Sequence, residues 1–370
     1  MLNSDGKPIS YFHDEYFPKP ENMIMESSDD IFALSEEAKH FVDQQILTER
    51  DSKKRIKLLA AAMFDKSKVS LIYTADANTT ASETFNNQLA NCLSMTILTY
   101  AMAEYAGLSA DFQEVFIPEY WMRSEQYSVL NRHVNVRLKP TALARGEIIP
   151  AALSYYADTL TVDFVVDRST KHYKTKIIPK ESVLAMYFNN KGAEEILAKN
   201  LNKAYWYFKT ALQHDSSFVP AWGNLGVTYR LSHRLEWVEP VYLYALALDS
   251  ENYSILENLA VLKQRVNQPE QANAIQRKLQ QYRASNPYYY FRLAEEQYDN
   301  GDWHQAVRYY DRAIKLDRNV HDFYFGLAKA WFRLGNVEKS HKYLRKAKMK
   351  SFDEDLELKY QHKLDLLGRL

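Results

Sequence analysis

The sequence contains a single cysteine in 370 residues, which excludes an internal disulfide and fits both reducing and oxidising compartments. It also lacks net charge, since 47 basic residues balance 47 acidic ones, and this balance argues against nucleic acid or an anionic membrane as a partner. No apolar run is long enough to cross a bilayer, and residues 1–6 do not have the pattern of a signal peptide. We therefore expect a cytoplasmic protein, or a periplasmic or secreted one if a signal peptide has been removed.

The single cysteine, Cys92, stands where a turn-prone stretch runs into a helix-forming one. Apolar residues follow it at the spacing of one helical face, and Gly107 marks the expected end of that helix. A helix N-terminus carries a partial positive charge and favours the thiolate, which is the reactive form of cysteine. The sequence therefore predicts a nucleophile at Cys92. The alternative is that this lone cysteine is only a small apolar core residue.

Two later segments with alternating apolar residues supply a histidine and an aspartate. His133 opens one predicted strand, in which Asn135 and Arg137 share its face, and Asp163 lies inside a second predicted strand. If the two strands pair, histidine and aspartate meet on the polar face. Asp167 lies two pleats beyond Asp163 and competes for the same role. Taken alone, His133 or Asp163 would be interpreted as an ordinary solvent-exposed side chain of a strand.

These three residue types form a known chemical unit. A thiolate attacks an amide carbonyl, an imidazolium holds the thiolate and later protonates the leaving amine, and a carboxylate orients the ring. The backbone N–H of Cys92 is the natural donor to the developing oxyanion, and Gln88 or Asn91 is a candidate for a second one. We expect no cofactor, and no zinc site, because one thiol without a close histidine pair leaves too few metal ligands.

The sequence before and after Cys92 also carries a family pattern, in addition to the order cysteine, histidine, aspartate. The stretch Thr84–Cys92 and the later pair Gly107-Leu108 resemble the transglutaminase-like members of the papain-like superfamily, over roughly residues 80–167. That family usually has an aromatic residue soon after the histidine, where this chain has Asn135, and its aspartate follows more closely, which an insertion around 139–158 explains. The resemblance implies an α+β fold for residues 31–184 with Cys92, His133 and Asp163 as the catalytic triad.

The second half of the chain repeats itself with a period of 34 residues, starting at 185, 219, 253, 287 and 321. The eighth position of each repeat is small: Gly192, Gly226, Ala260, Ala294 and Ala328. The twenty-fourth position is mostly large: Phe208, Tyr242, Tyr310 and Leu344. This period and pattern are similar to those of tetratricopeptide repeats, each a pair of helices. We therefore expect an extended arm at 1–30, an all-α solenoid at 185–354 and a capping helix at 355–370.

The sixth position of successive repeats is polar, with Asn190, Asn224, Asn258 and then Arg292. Facing a groove, such a ladder is able to hydrogen-bond the main chain of an extended peptide, and it resembles the asparagine ladder in the solenoid of O-linked N-acetylglucosamine transferase. The alternative is that asparagine at this position only stabilises the repeats. The predicted partner is a protein or peptide held in this groove.

The combined prediction is a cysteine-dependent amide hydrolase or acyl transferase that acts on a protein or peptide recruited by the repeats. Hydrolysis and transamidation are not separated by the sequence, because both proceed through the same thioester. The alternative is a catalytically inactive scaffold, in which only the repeats mediate protein-protein interaction.

Overall fold

The structure is a computed structural model that describes residues 11–65, 67–115, 133–140, 159–164, 175–351 and 354–368. The described residues fall into two compact units, one reaching Val266 and the other beginning at Asn267. Each unit is described by itself below. Within these ranges no helix combines the length and the apolar character that a membrane crossing requires.

Five helices of the first unit precede its sheet in the chain: α1 (Ser28–Phe32), α2 (Glu36–Gln45), α3 (Ser52–Phe64), α4 (Ala81–Asn87) and α5 (Cys92–Tyr105). Helices α2 and α4 begin at side-chain caps. Ser35 accepts a hydrogen bond from the backbone N–H of Ala38, and Thr80 and Glu83 form the reciprocal bonds of a capping box. Among the described residues before α1, which begin at residue 11, only 14–16 are helical, as a single 3-10 turn.

Helix α5 begins at the cysteine because Asn91 caps it. The side-chain oxygen of Asn91 accepts a hydrogen bond from the backbone N–H of Ser94 at 2.9 Å, which satisfies one of the free donors of the first turn. The helix ends as predicted before Gly107, whose φ of +67° is readily adopted only by glycine. Almost every residue between is buried, so α5 forms the centre of this part of the first unit.

Four antiparallel strands form the main sheet in the order β5-β4-β3-β6, with β3 at Ser109–Val115, β4 at His133–Lys139, β5 at Leu160–Val162 and β6 at Thr175–Ile178. Two shorter strands, β1 (Ile72–Tyr73) and β2 (Leu89–Ala90), form a separate parallel pair just before the cysteine. The main sheet packs on α5, and the hydroxyl of Thr96 donates to the carbonyl of Val134 at 3.1 Å. Helices and antiparallel strands thus occur together here, while the assignment to the papain-like superfamily stays a prediction.

The first unit continues into five further helices: α6 (Lys180–Leu197), α7 (Leu201–His214), α8 (Val219–Leu231), α9 (Leu235–Leu248) and α10 (Tyr253–Arg265). The small and large residues of the 34-residue period meet between them. A side-chain carbon on Gly192 would overlap the ring of Phe208, and one on Gly226 would overlap the ring of Tyr242. The helices of a pair therefore approach closely where the sequence has glycine.

The described part of the second unit contains six helices: α11 (Pro269–Ser285), α12 (Pro287–Asp299), α13 (Trp303–Leu316), α14 (His321–Arg333), α15 (Val337–Lys350) and α16 (Glu354–Leu367). Tyr310 is fully buried there among residues of α12, α13 and α14. In the expected capping region, α16 packs Tyr360 and Leu364 against α14 and α15. The boundary between the units falls inside the third sequence repeat, at 253–286.

A candidate cysteine, histidine and aspartate site

The register of β4 and β5 brings the predicted histidine and aspartate together. Val162 pairs with Val136, so Asp163, the next residue, comes beside Asn135 on the face that His133 shares. The Nε2 atom of His133 and Oδ1 of Asp163 are 2.7 Å apart, and the amide nitrogen of Asn135 donates to Oδ2 of Asp163 at 3.0 Å. Both carboxylate oxygens are therefore fixed by β4.

The imidazole of His133 is held as a cation. Its side chain is buried, which by itself lowers the pKa, but hydrogen bonds and charge from Asp163 and Cys92 outweigh this and raise the pKa of His133 to about 9. The Nδ1 atom is buried and has no partner in good hydrogen-bonding geometry in the described ranges, so Cys92 acts on the ring as a nearby thiol. Because Asp163 occupies Nε2, Nδ1 is the ring atom left for the thiol of Cys92.

Cys92 is the first residue of α5 and is partly exposed. The first N–H groups of a helix have no partner within the helix, and the helix dipole favours a negative charge at this end. The sulfur therefore lies at the positive end of α5 and close enough to His133 to contribute to the pKa shift of that ring. The backbone N–H of Cys92 lies next to the sulfur, where an oxyanion would form, whereas that of Ser94 is already bonded to Asn91.

A cavity of about 320 Å³ borders the cysteine. Its wall is largely apolar, with acidic and amide side chains between the apolar ones: Tyr73, Ala75, Asp76, Asn91, Leu93, Met186, Asn189, Asn190, Ala193, Glu194, Leu197 and Phe218. These residues come from the segment before α5, from the first turn of α5, from α6 and from the residue just before α8. The thiol thus opens into a space that the first repeat helix helps to form.

Glu194 is the most perturbed acid of this cavity. Burial raises its pKa to about 7, an effect that Lys191 opposes and the neighbouring carboxylate of Asp76 reinforces. The cavity therefore holds an acid that titrates near neutral pH. Glu194 was not predicted from the sequence. It lies on a helix of the repeats, and no sequence pattern indicates that this helix comes close to Cys92.

The asparagine ladder is engaged inside the chain. The amide of Asn190 donates to Asn78 at 3.5 Å, and the amide of Asn224 donates to Asn189 at 2.9 Å. Asn190 also borders the cysteine cavity. These donors are bound to other side chains rather than presented to a peptide.

The two remaining ladder positions differ from each other. Asn258 is buried on α10 of the first unit, whereas Arg292 is exposed on α12 of the second. The peptide-binding role of the ladder stays a prediction, and the packing alternative accounts for the contacts of Asn190 and Asn224.

The predicted oxyanion donors occupy different places. Asn91 lines the cavity next to Cys92, whereas Gln88 is an exposed residue with φ of +59° that ends α4 and is absent from the cavity wall. The role of Gln88 or Asn91 as a second oxyanion donor stays a prediction. Asp167 lies outside the described residues.

The structure adds Asn135 to the predicted site residues. The alternation of side chains along the strand already placed Asn135 on the same face as His133. This shared face was the one sequence signal that pointed toward its contact with Asp163. A search for groups of three or more His, Cys, Asp or Glu side chains able to hold a metal found none within the described ranges.

Comparison with known proteins identifies the repeats. A model of the tetratricopeptide repeat family matches residues 291–354, which confirms the predicted repeat type in that part of the chain. A search of the curated proteins gave no match.

Three similar solved structures each match about half of this chain over most of their own length. YrrB, described as a TPR protein with an unusual peptide-binding site, is 19% identical over 48% of this chain and 92% of its own, with a TM-score of 0.26. PilF of Pseudomonas aeruginosa is 18% identical over 52% and 87%, with a TM-score of 0.28. MamA is 18% identical over 48% and 95%, with a TM-score of 0.25. At these values the likenesses carry no conclusion about function, and the transglutaminase-like resemblance stays a prediction.

Proposed function

We propose that this chain is a tetratricopeptide-repeat protein that binds a protein or peptide and carries a cysteine-dependent acyl-transfer site. Repeats of this type are protein-interaction arrays, which supports the binding part. The observation that carries the catalytic part is the position of His133, with Asp163 on Nε2 and Cys92 as the neighbour left for Nδ1. The two parts are tested separately.

The proposed reaction begins at the sulfur of Cys92. The thiolate attacks the carbonyl carbon of an amide and forms a tetrahedral oxyanion, which the backbone N–H of Cys92 stabilises. His133 then transfers its Nδ1 proton to the leaving amine as the carbon–nitrogen bond breaks, and a thioester remains. The neutral ring next removes a proton from water or from an amine, which attacks the thioester and releases Cys92.

The remaining contacts suit positioning roles. Asp163 stabilises the cationic ring and fixes its tautomer through Nε2, and Asn135 holds the second oxygen of that carboxylate. The cavity beside the sulfur offers apolar surface to one part of the substrate and acidic groups to another. Asn135 is thus a positioning residue that acts through Asp163.

An acylation assay tests this function without a known substrate. The full chain is incubated with p-nitrophenyl acetate at pH 7, while nitrophenolate release and intact mass are followed. We expect a burst of one equivalent and an acetyl group on Cys92, with acylation slower by about tenfold to a hundredfold in His133→Gln and absent in Cys92→Ala. Added methylamine that speeds deacylation and yields N-methylacetamide assigns transamidation; no effect assigns hydrolysis.

A second candidate is the inactive scaffold, favoured by the fact that the family match falls entirely on the repeats. This function predicts that Cys92 reacts no faster in the wild type than in His133→Gln. Such equality, with both proteins folded by circular dichroism, overturns the catalytic proposal and leaves the binding part in place.

A further inference from the structure

Residues 11–17 of the arm lie against a set of aromatic side chains on the repeat helices. We call this set the aromatic slot, and its members are Tyr205 and Trp206 of α7, Trp222 and Tyr229 of α8, and Trp237 and Tyr244 of α9. The slot and the segment both belong to the first unit. The sixth-position asparagines take no part in it.

The slot binds the main chain of the segment at three points. The hydroxyl of Tyr229 donates to the carbonyl of Tyr11 at 2.6 Å, and the indole of Trp206 donates to the carbonyl of Phe17 at 2.8 Å. The backbone N–H of His13 donates to the hydroxyl of Tyr205 at 2.8 Å. Because these contacts involve backbone atoms on both sides of the 3-10 turn at residues 14–16, they hold a segment of this backbone conformation whatever its side chains are.

Selectivity comes from the rings of the segment. His13 stacks on Trp237 with ring centres 3.9 Å apart, and Phe17 stacks on Tyr205 at 4.5 Å. Tyr11 meets Tyr244 at 4.8 Å. Contacts between aromatic rings of this kind add to the free energy of simple burial, and each requires an aromatic side chain at that position of the bound segment.

An acid of the segment is recognised as well. The ammonium of Lys209 lies 2.7 Å from Oδ1 of Asp14, and the hydroxyl of Tyr205 donates to the same oxygen at 2.6 Å. These hydrogen bonds lower the pKa of Asp14 although burial alone would raise it. The recognised pattern is therefore aromatic, any, aromatic, acidic, any, any, aromatic, as in residues 11–17.

The segment differs from a core element in its exposure. Phe17 is buried, but residues 11–13 are only partly buried and residues 14–16 are exposed. One aromatic anchor, backbone hydrogen bonds and a charged rim contact are the features of a bound peptide at a protein interface. Segments bound in this way open more easily than core helices.

We propose that the aromatic slot is a recognition site for peptides that carry this aromatic and acidic pattern around a single 3-10 turn, that residues 11–17 are its intramolecular ligand, and that a partner protein carrying the pattern displaces them. This proposal goes beyond the acyl-transfer function and does not depend on Cys92. An intramolecular ligand competes at an effective concentration in the millimolar range. Wild-type protein should therefore bind an added peptide far more weakly than a protein whose own segment is impaired.

The test uses the full chain and a fluorescein-labelled peptide of residues 10–18. In the arm variant, Tyr11, Asp14 and Phe17 are each replaced by serine, which removes ring contacts and the ion pair. We expect the arm variant to bind the peptide at least about tenfold more tightly than the wild type, and a scrambled peptide at least about tenfold more weakly than the native one. Lys209→Glu in the arm variant should abolish this gain, and a peptide with Asp14→Lys should restore it.

An arm variant that keeps its helical circular dichroism but binds neither peptide, or binds both equally, overturns the proposal. Hydrogen exchange on the wild type provides a test that needs no variant. Excess native peptide should speed the exchange of the His13 amide about tenfold or more and leave the amides of α8 unchanged. Exchange at His13 that is as slow as in α8 and insensitive to the peptide would show that the segment is permanent core.

Discussion

The repeat helices and the cysteine site depend on different kinds of contact. In the repeats of the first unit, the same contact between a small and a large residue recurs, at Gly192 with Phe208 and at Gly226 with Tyr242. The cysteine site instead depends on one series of side chains, in which His133 lies between Asp163 and Cys92. A substitution at one of these glycine contacts should thus change stability alone, whereas one at His133 should change reactivity and the pH dependence of stability.

The largest effect on stability is expected at a close approach of the repeats. In Gly226→Ala the new carbon overlaps the ring of Tyr242, which is fully buried, so the unfolding free energy should fall by about 3 kcal/mol. Gly223→Ala is the matched control on the same helix, because there the carbon meets Ile255 only at 3.4 Å. That control should be neutral or more stable by about 0.5–1 kcal/mol. Urea denaturation measures both, and equal losses would contradict the close packing.

The cysteine site should make the unfolding free energy depend on pH. The pKa of His133 is about 9 in the folded chain, compared with its ordinary value of 6.5 in the unfolded chain. The cation therefore adds its full stabilisation below pH 6.5 and loses it as the pH rises through 9. The stability difference between wild type and His133→Gln should shrink by on the order of 2 kcal/mol between pH 6 and pH 9.5. A difference that stays constant would mean that folding leaves the pKa of His133 unchanged.

The smallest effect separates packing from binding in the asparagine ladder. Asn224→Ala removes the hydrogen bond to Asn189 and should cost about 1 kcal/mol of unfolding free energy. Asn189→Ala removes the same bond from the other side. The double variant should therefore lose less than the sum of the two single losses, as a double-mutant cycle measures. Strict additivity would mean that the two amides do not interact.

The sequence predicted those parts of the fold that follow a period or a cap. The 34-residue period identified the helix pairs, because equivalent positions must make equivalent contacts in every pair. The predicted start of α5 at Cys92 and its end before Gly107 were both correct, since helix ends depend on local backbone geometry. The strand alternation also placed His133 and Asn135 on one face, as the register of β4 shows.

Contacts between distant, non-periodic residues could not be predicted in this way. No pattern relates Tyr11 to Tyr229, or Glu194 to Cys92, because each contact depends on how whole elements pack. The division at residue 266 was missed for a related reason, since the period continues across it while the compact units do not. The hydrogen bond from Asn135 to Asp163 depends on the register between β4 and β5. The alternation of side chains along one strand does not give that register.

The rate of Cys92 alkylation by iodoacetamide as a function of pH tests the central claim most directly. If His133 and Cys92 form an ion pair, the wild-type rate at pH 6 should exceed that of an ordinary thiol, whose pKa is about 8.5, by about tenfold to a hundredfold, and should stay nearly constant up to the point near pH 9 at which His133 loses its proton. In His133→Gln the rate should instead rise with pH like that of an ordinary thiol. Identical rising profiles for the two proteins would contradict the proposed site.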